Sequence, residues 1–326
     1  MPPRVRRTLS LVGFLGVAVL ATAGVAVAAN GGFTPPDAYS PNAHRINETY
    51  YLILGFTAAI FLLVEAALIA FVVKYRSRGR DRTVEGAQVE GHTRIELIWT
   101  AIPIVIITII FGFVFYKLPG ISDPPEARAA DRLHIHIDAH QFYWQFTYPN
   151  GAVSIDELHL PVGRVVVLSI NAEDVIHSWW VPELGGKTDA IPGRTNSTWY
   201  QPEATGTFVG QCAELCGLYH ERMLAHVVVT SNADYEAWTT ATAKNQLGKM
   251  EWQGVCAKCH GMEGQGDYGP ALATNPLLTQ PAGLEVIIRE GRGRMPDVGN
   301  NWTRTQLRAL EAYVKANVYK GAASGG

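Results

Sequence analysis

Hydrophobic and polar positions change rhythm several times along this chain. Residues 11–29 are uncharged, follow Arg4, Arg6 and Arg7, and finish in Ala26-Val27-Ala28, so a signal peptide is predicted over residues 1–29. Uncut, the same run is long enough to be a third membrane anchor. Residues 52–73 are apolar apart from Glu65, and residues 97–116 carry no charge. Each run can cross a hydrocarbon core, which predicts a two-helix transmembrane hairpin within residues 30–120, with helices over about 52–73 and 97–116. The loop between them holds Lys74, Arg76, Arg78, Arg80, Arg82 and Arg94, whereas the preceding flank from Asn30 holds only Arg45. Because basic loops stay in the cytoplasm, everything after Lys117 is expected on the extracytoplasmic side of a multi-pass protein.

From residue 131 the period shortens to two. Leu133, Ile135 and Ile137 alternate with His134 and His136, and residues 142–148, 165–170, 197–200 and 226–230 are rich in β-branched and aromatic side chains. Pro149-Asn150-Gly151, Pro161-Val162-Gly163 and Pro192-Gly193 punctuate them, predicting an all-β sandwich or barrel over 131–230. Residues 232–244 read as a short helix inside a linker spanning 231–248. Residues 249–320 then read as a small all-α domain of glycine-rich loops and a terminal helix over about 303–318. Thr303 and Gln306 are spaced as a capping box there, and Leu307, Leu310 and Val314 form one stripe.

Composition narrows the classes. The 326 residues are 48% hydrophobic, enough for membrane segments and two modest domains. Lys and Arg total 27 against 29 Asp and Glu, a formal net charge of -2, so no basic field exists to draw in nucleic acid. The four cysteines fall as two close pairs, Cys212/Cys216 and Cys256/Cys259, which suits metal or haem better than a scattered disulfide framework.

Cys212, Cys216, His220 and Met223 lie within one short stretch and form a soft donor set suited to copper. His177, in the run Val175-Ile176-His177-Ser178-Trp179-Trp180, can close the site from a separate loop. Two thiolates in place of one suggest two sulfur-bridged coppers, whose shared electron keeps the geometry change on reduction small. A Cys212–Cys216 disulfide and a structural zinc site are the alternatives. Downstream, Cys256-Ala257-Lys258-Cys259-His260 has the pattern for covalent attachment of c-type haem, with His260 as the proximal iron ligand. Met295, before Pro296, is the candidate distal ligand, in preference to Met250 and Met262. A redox dithiol or half a zinc site can match the same motif.

The stretch from His177-Ser-Trp-Trp-Val-Pro-Glu-Leu184 through Lys187, Asp189 and Arg194 to Met223 closely resembles the binuclear-copper (CuA) cupredoxin domain of cytochrome c oxidase subunit II. Residues 250–319 resemble a small class I cytochrome c, including Gly269-Pro270-Ala271-Leu272. The resemblance implies that Cys212 and Cys216 bridge the coppers, with His177 and His220 as terminal imidazoles. Met223 is then a weak ligand and Glu214 offers its backbone carbonyl. It implies a magnesium ion shared by the Glu214 carboxylate with subunit I, and a proline carbonyl, that of Pro270, accepting from the haem histidine. It also implies that Phe142, Tyr143 and Trp144 form the aromatic patch that receives electrons, Phe142 replacing the family's usual tryptophan. Glu96 matches a glutamate at a proton-pathway entrance. Read without the resemblance, Glu96 is a helix-end charge, the aromatics are core fillers, and Glu65 makes a polar contact with a neighbouring helix.

The whole is similar to the caa-type enzymes, in which subunit II carries a fused cytochrome c domain. Implied are a membrane-anchored multidomain fold and electron transfer from haem to copper to subunit I, where oxygen is reduced and protons are pumped. Subunit III, membrane lipid and an external electron donor are the other expected partners, and the plasma membrane of a prokaryote is the expected location. Two rivals remain: the equivalent subunit of a copper-containing nitric oxide reductase, and a non-catalytic copper-binding or redox-sensing membrane protein.

Overall fold

The computed structural model describes residues 34–76, 86, 88–245 and 247–321; the expected signal peptide and Arg78, Arg80 and Arg82 lie outside them. Among the described residues two long helices come first, α1 (Pro41–Tyr75) and α2 (Thr93–Lys117), and both are apolar enough to cross a membrane. At 35 residues α1 is about 52 Å long, well beyond a hydrocarbon core of about 30 Å. It therefore starts earlier than the apolar run at 52–73 indicated. Its extra turns are polar and belong to the sandwich: Asn42 is buried and donates to the Trp199 carbonyl at 2.7 Å, and Ser40 donates to Asn42. Pro41 sits at the first helical position, where its missing N–H costs nothing.

Ten strands follow. β1 (Leu133–His140), β2 (Tyr143–Thr147), β3 (Val153–Ile155), β5 (Val166–Ala172) and β8 (Asn196–Tyr200) form one sheet in the order β3-β2-β1-β5-β8. β4 (Glu157–Pro161), β6 (His177–Trp180), β7 (Thr188–Ala190), β9 (Gly206–Cys212) and β10 (Leu224–Thr230) form the other, in the order β4-β10-β9-β6-β7. β1 runs parallel to β5, with Ile135 opposite Leu168 and Ile137 opposite Ile170, and alternate residues of β1 are buried. The inner faces close on one core that includes Ile137, Phe146, Leu158, Leu168, Trp179 and Val227. Sequence periodicity found β1, β2, β5, β8 and β10. It missed β3, β4, β6, β7 and β9, three of which are short, while β9 begins at Gly206 and is interrupted by Gly210.

The stretch read as a linker is largely packed. α3 (Asn232–Asn245) buries Tyr235 in the sandwich core and stacks Trp238 on His159 at 3.7 Å between ring centres. α4 (Leu247–Glu251) then enters the helical domain. A Cβ on Gly248 would lie 2.0 Å from the Ala309 carbonyl of the last helix, so this glycine belongs to the helical core and not to a linker. A π-helical turn (Trp252–Cys256) leads into α5 (Ala257–His260), and α6 (Pro281–Glu290) and α7 (Arg304–Asn317) complete the domain. Thr303 caps α7 with the reciprocal Gln306 bond that the sequence predicted, and Leu307, Leu310 and Val314 are buried.

The helical core extends onto the sandwich. Tyr143 of β2 and Ile155 of β3 are counted among its buried residues with Trp252, Trp302 and Leu310, and a Cβ on Gly254 would lie 2.3 Å from Ile155 Cγ2.

Candidate metal centres

His177 opens β6, Cys212 closes β9, and the loop from there to β10 carries Glu214, Cys216, His220 and Met223. Backbone bonds from Cys212 N to the Met223 carbonyl and from Ala213 N to the Ser178 carbonyl fold this loop over the strand that carries His177. The donors converge as a result. Cys212 Sγ lies 3.9 Å from Cys216 Sγ, 3.9 Å from His177 Nδ1 and 3.1 Å from the Glu214 carbonyl, while Cys216 Sγ lies 3.6 Å from His220 Nδ1 and 3.8 Å from Met223 Sδ. Sulfur atoms 3.9 Å apart are not bonded, and both cysteines are free thiols. Two sulfurs with an imidazole beside each are a donor set for soft metal ions bridged by thiolate. The six ligating groups assigned from the resemblance therefore come together in one pocket.

Electrostatics favours a cation there. The contact with Cys216, with help from His177, holds Cys212 down in the thiolate range. The same contact with Cys212, then burial and the Cys212 charge, pushes the second thiol, Cys216, far up. A cation between them would let both ionise. His177 is fully buried, and its Nε2 meets Asp174 Oδ1 at 2.8 Å. Burial lowers the imidazole's affinity for a proton, but Asp174 and Cys212 outweigh it and raise the pKa. Burial likewise raises Asp174, but bonds from His177, Gln141 N and Val175 N together hold it below its usual range. Asp174 orients a ligand that the sequence identified, yet sequence reasoning passed over Asp174 itself. Its signal was a carboxylate three residues before His177.

In the helical domain a cavity of about 520 Å³ is lined by Cys256, Cys259, His260 and Met295, with apolar walls from Leu278, Leu284, Leu310 and Val314. His260 Nδ1 pairs with the Pro270 carbonyl at 2.8 Å, which leaves Nε2 as the ring nitrogen available to a metal. Gly269 makes room for that ring, since a Cβ there would stand 2.6 Å from His260 Cε1. The cavity and its donors fit a covalently attached haem. Met295 lines it; Met250 and Met262 do not, and Met262 is 59% exposed.

Gln141, Phe142, Tyr143, Tyr219 and Arg222 of the sandwich line the same cavity. Phe142 meets Tyr219 edge-on at 5.4 Å, and Tyr219 meets Tyr268 of the helical domain at 6.0 Å. Trp144, grouped with Phe142 and Tyr143 in the sequence, lies elsewhere: it is fully buried between His177 and Trp179, because it occupies the opposite face of β2 from Tyr143.

Three family patterns cover this chain: the transmembrane domain of cytochrome c oxidase subunit II over residues 28–117, its periplasmic domain over 152–231, and "Cytochrome C oxidase, cbb3-type, subunit III" over 243–314. Cytochrome c oxidase subunit 2 of Alkalihalophilus pseudofirmus is 32% identical over 87% of this chain and 90% of its own length. The chain belongs to the cytochrome c oxidase subunit II family. The subunit 2 of Thermostichus vulcanus is 32% identical over 62% of this chain and 76% of its own. The crystal structure of the periplasmic domain of subunit II of cytochrome oxidase from Bradyrhizobium japonicum is 32% identical, covers 34% of this chain and 94% of that one, and has a TM-score of 0.34.

This subunit II is a caa-type fusion, a membrane-anchored electron-transfer component of a terminal oxidase that associates with subunit I and carries copper and haem c modules. Glu96 lies in the first turn of α2, where its Oε1 accepts from His92 N at 2.9 Å. That bond is a helix-end capping role. Glu214 is exposed, with only its backbone carbonyl turned to Cys212. Asp189 accepts from Ser178 beside His177, and the Lys187 ammonium lies over Trp180 at 5.8 Å.

Proposed function

We propose that this subunit takes electrons at its C-terminal haem module, passes them across the Phe142–Tyr219–Tyr268 seam to the copper loop, and delivers them to subunit I. The observation that carries this reading is the shared wall. Side chains of the copper domain line the cavity that fits haem, so the two modules meet at one wall. Bound in these sites, haem and the copper pair each take up and release one electron without binding substrate. The chain's residues hold the ligands: Cys256, Cys259, His260 and Met295 for haem, and His177, Cys212, Glu214, Cys216, His220 and Met223 for copper.

Several further roles belong to the same reading. Phe142 and Tyr143 form the receiving surface, with Trp144 packed behind them against His177. The exposed Glu214 carboxylate is free to reach a magnesium ion at the boundary with subunit I. Glu96 stands at the mouth of a proton pathway. The hairpin lies in the plasma membrane of a prokaryote, against lipid and subunits I and III, with both metal domains on the extracytoplasmic face, where an external electron donor meets the haem module. The Lys74, Arg76 and Arg94 charges, at and just beyond the facing ends of the two helices, support that orientation.

Rapid reduction of the purified complex tests the central claim. Haem is expected to be reduced first, and copper to follow at a rate independent of protein concentration. Reduction of copper before haem by the native donor would overturn it.

A further inference from the structure

The two modules are joined by more than an aromatic seam. Lys258, the second residue between the two haem-attachment cysteines, reaches across to the sandwich. Its Nζ donates to the Phe142 carbonyl at 2.9 Å and pairs with Asp156 Oδ2 at 2.5 Å. Arg222, between the copper-ligand candidates His220 and Met223, reaches the other way. Its guanidinium donates to the Lys258 carbonyl at 3.3 Å, stands 3.9 Å from Asp267 and lies over the Tyr268 ring at 3.7 Å.

Neither cation is free on the surface. The Lys258 and Asp156 side chains are 23% and 14% exposed, so water screens their pairing only in part. Asp156 is itself fixed. Its other oxygen accepts from Trp144 N at 2.9 Å, and its backbone takes a left-handed φ of 58°, which aspartate and asparagine tolerate better than most residues. Arg222 also grips a backbone carbonyl of the haem-attachment segment, and Lys258 grips one in the aromatic segment proposed to receive electrons.

We propose that Arg222 and Lys258 are positioning residues, reciprocal cations that fix the haem-attachment segment against the copper domain so that electrons cross from one permanently docked geometry. This rests on the proposed passage of electrons from the haem module to copper. A flexibly tethered domain would search for its contact on every turnover. A clamped domain does not search, because electron transfer weakens exponentially with separation and the clamp holds the separation constant.

The variants are Lys258→Gln, Arg222→Gln and Asp156→Asn in the full complex. Asp156→Asn retains the acceptor for Trp144 N, is itself in neither ligand loop and removes the charge that faces Lys258. Hydrogen exchange of peptides spanning residues 153–160 and 252–260 reads the docking directly, whatever the electron flow. Exchange there is expected to rise roughly tenfold in Lys258→Gln and Asp156→Asn, as for loss of one partly buried interfacial charge pair. Copper reduction by photoreduced haem is expected to be insensitive to solvent viscosity and salt in the native chain, and to slow and become viscosity-dependent in the variants. The haem spectrum and the copper paramagnetic signal, unchanged in Asp156→Asn, exclude damage to the sites. Native exchange and viscosity-independent transfer in all three variants would overturn the clamp. Absence of haem-to-copper transfer in the native chain would instead overturn the electron route.

Discussion

The Tyr143 hydroxyl joins two domains: it accepts from Trp302 Nε1 at 2.9 Å and donates to the Val298 carbonyl at 2.8 Å. Tyr143 comes from a strand of the copper domain, and both partners precede the last helix of the haem domain. The ring is 1% exposed, so both bonds are made away from water. Tyr143→Phe leaves an indole N–H and a carbonyl without their partner, a cost of about 1–3 kcal/mol. Thermal unfolding followed at the haem is expected to shift down, while copper content stays at its native level.

Asp174 is expected to matter nearly as much as the ligand it orients. Asp174→Asn weakens the charged partner of His177 Nε2 while keeping similar size. Copper affinity is expected to fall roughly 10–100-fold, the usual effect of disturbing an outer-shell partner. Cys216→Ser is expected to do more, collapsing the two-metal site because the sulfur left beside position 216, that of Met223, cannot bridge as a thiolate. Copper analysis and paramagnetic resonance separate the two outcomes. A Cys216→Ser chain with a full two-copper signal would remove the bridging assignment.

Much of this site was legible because its ligands are packed into a short run whose chemistry is nearly independent of the fold. Cys212, Cys216, His220 and Met223 share one loop, and the Cys256, Cys259 and His260 triplet occupies a single turn. The capping box at Thr303 was equally legible, since its whole logic lies within four residues. What escaped depends on contacts distant in sequence. Trp144 reads like Phe142 until the pleat of β2 sends it to the opposite face. Gly248 reads as linker until the Ala309 carbonyl meets it. The polar start of α1 hides a helix because it packs on Trp199 and not on lipid. Lys258 sat inside a recognised motif, at a position that haem attachment leaves unconstrained, so only the docked structure gives it a partner.

Glu251 is expected to make the haem domain sensitive to alkali. It is fully buried, neither carboxyl oxygen has a hydrogen-bond partner among the described residues, and burial pushes its pKa up from 4.5 to about 9. Between these values the folded chain keeps a proton that the unfolded chain has released. The folded state therefore binds more protons, and stability present below about pH 4.5 is lost as pH rises towards 9, by at most ~1.4 kcal/mol per pH unit. Glu251→Gln is expected to flatten this slope, raising the melting temperature of the haem domain at pH 8.5 more than at pH 6. Equal slopes in the two proteins would show that Glu251 ionises without penalty.

The point where electrons arrive follows from what the haem domain covers. Tyr143 and Ile155 are buried in its core, and Phe142 faces its cavity, so the surface that would receive an external donor on the copper domain is occupied. A chain ending at residue 245 keeps Tyr235 and Trp238 packed on the sandwich, but it uncovers Tyr143, Ile155 and Phe142. Such a chain is expected to retain copper and its association with subunit I. Losing the attached donor removes its effective concentration, which lies in the millimolar range for short connections, so turnover with the native donor is expected to fall roughly tenfold or more. A small diffusible reductant reaches the uncovered surface directly and is expected to restore part of the turnover as its concentration rises. Steady-state oxygen consumption by the full and shortened complexes measures both effects. Undiminished turnover of the shortened complex with the native donor would mean that electrons arrive at the copper domain, and that the haem domain only covers it.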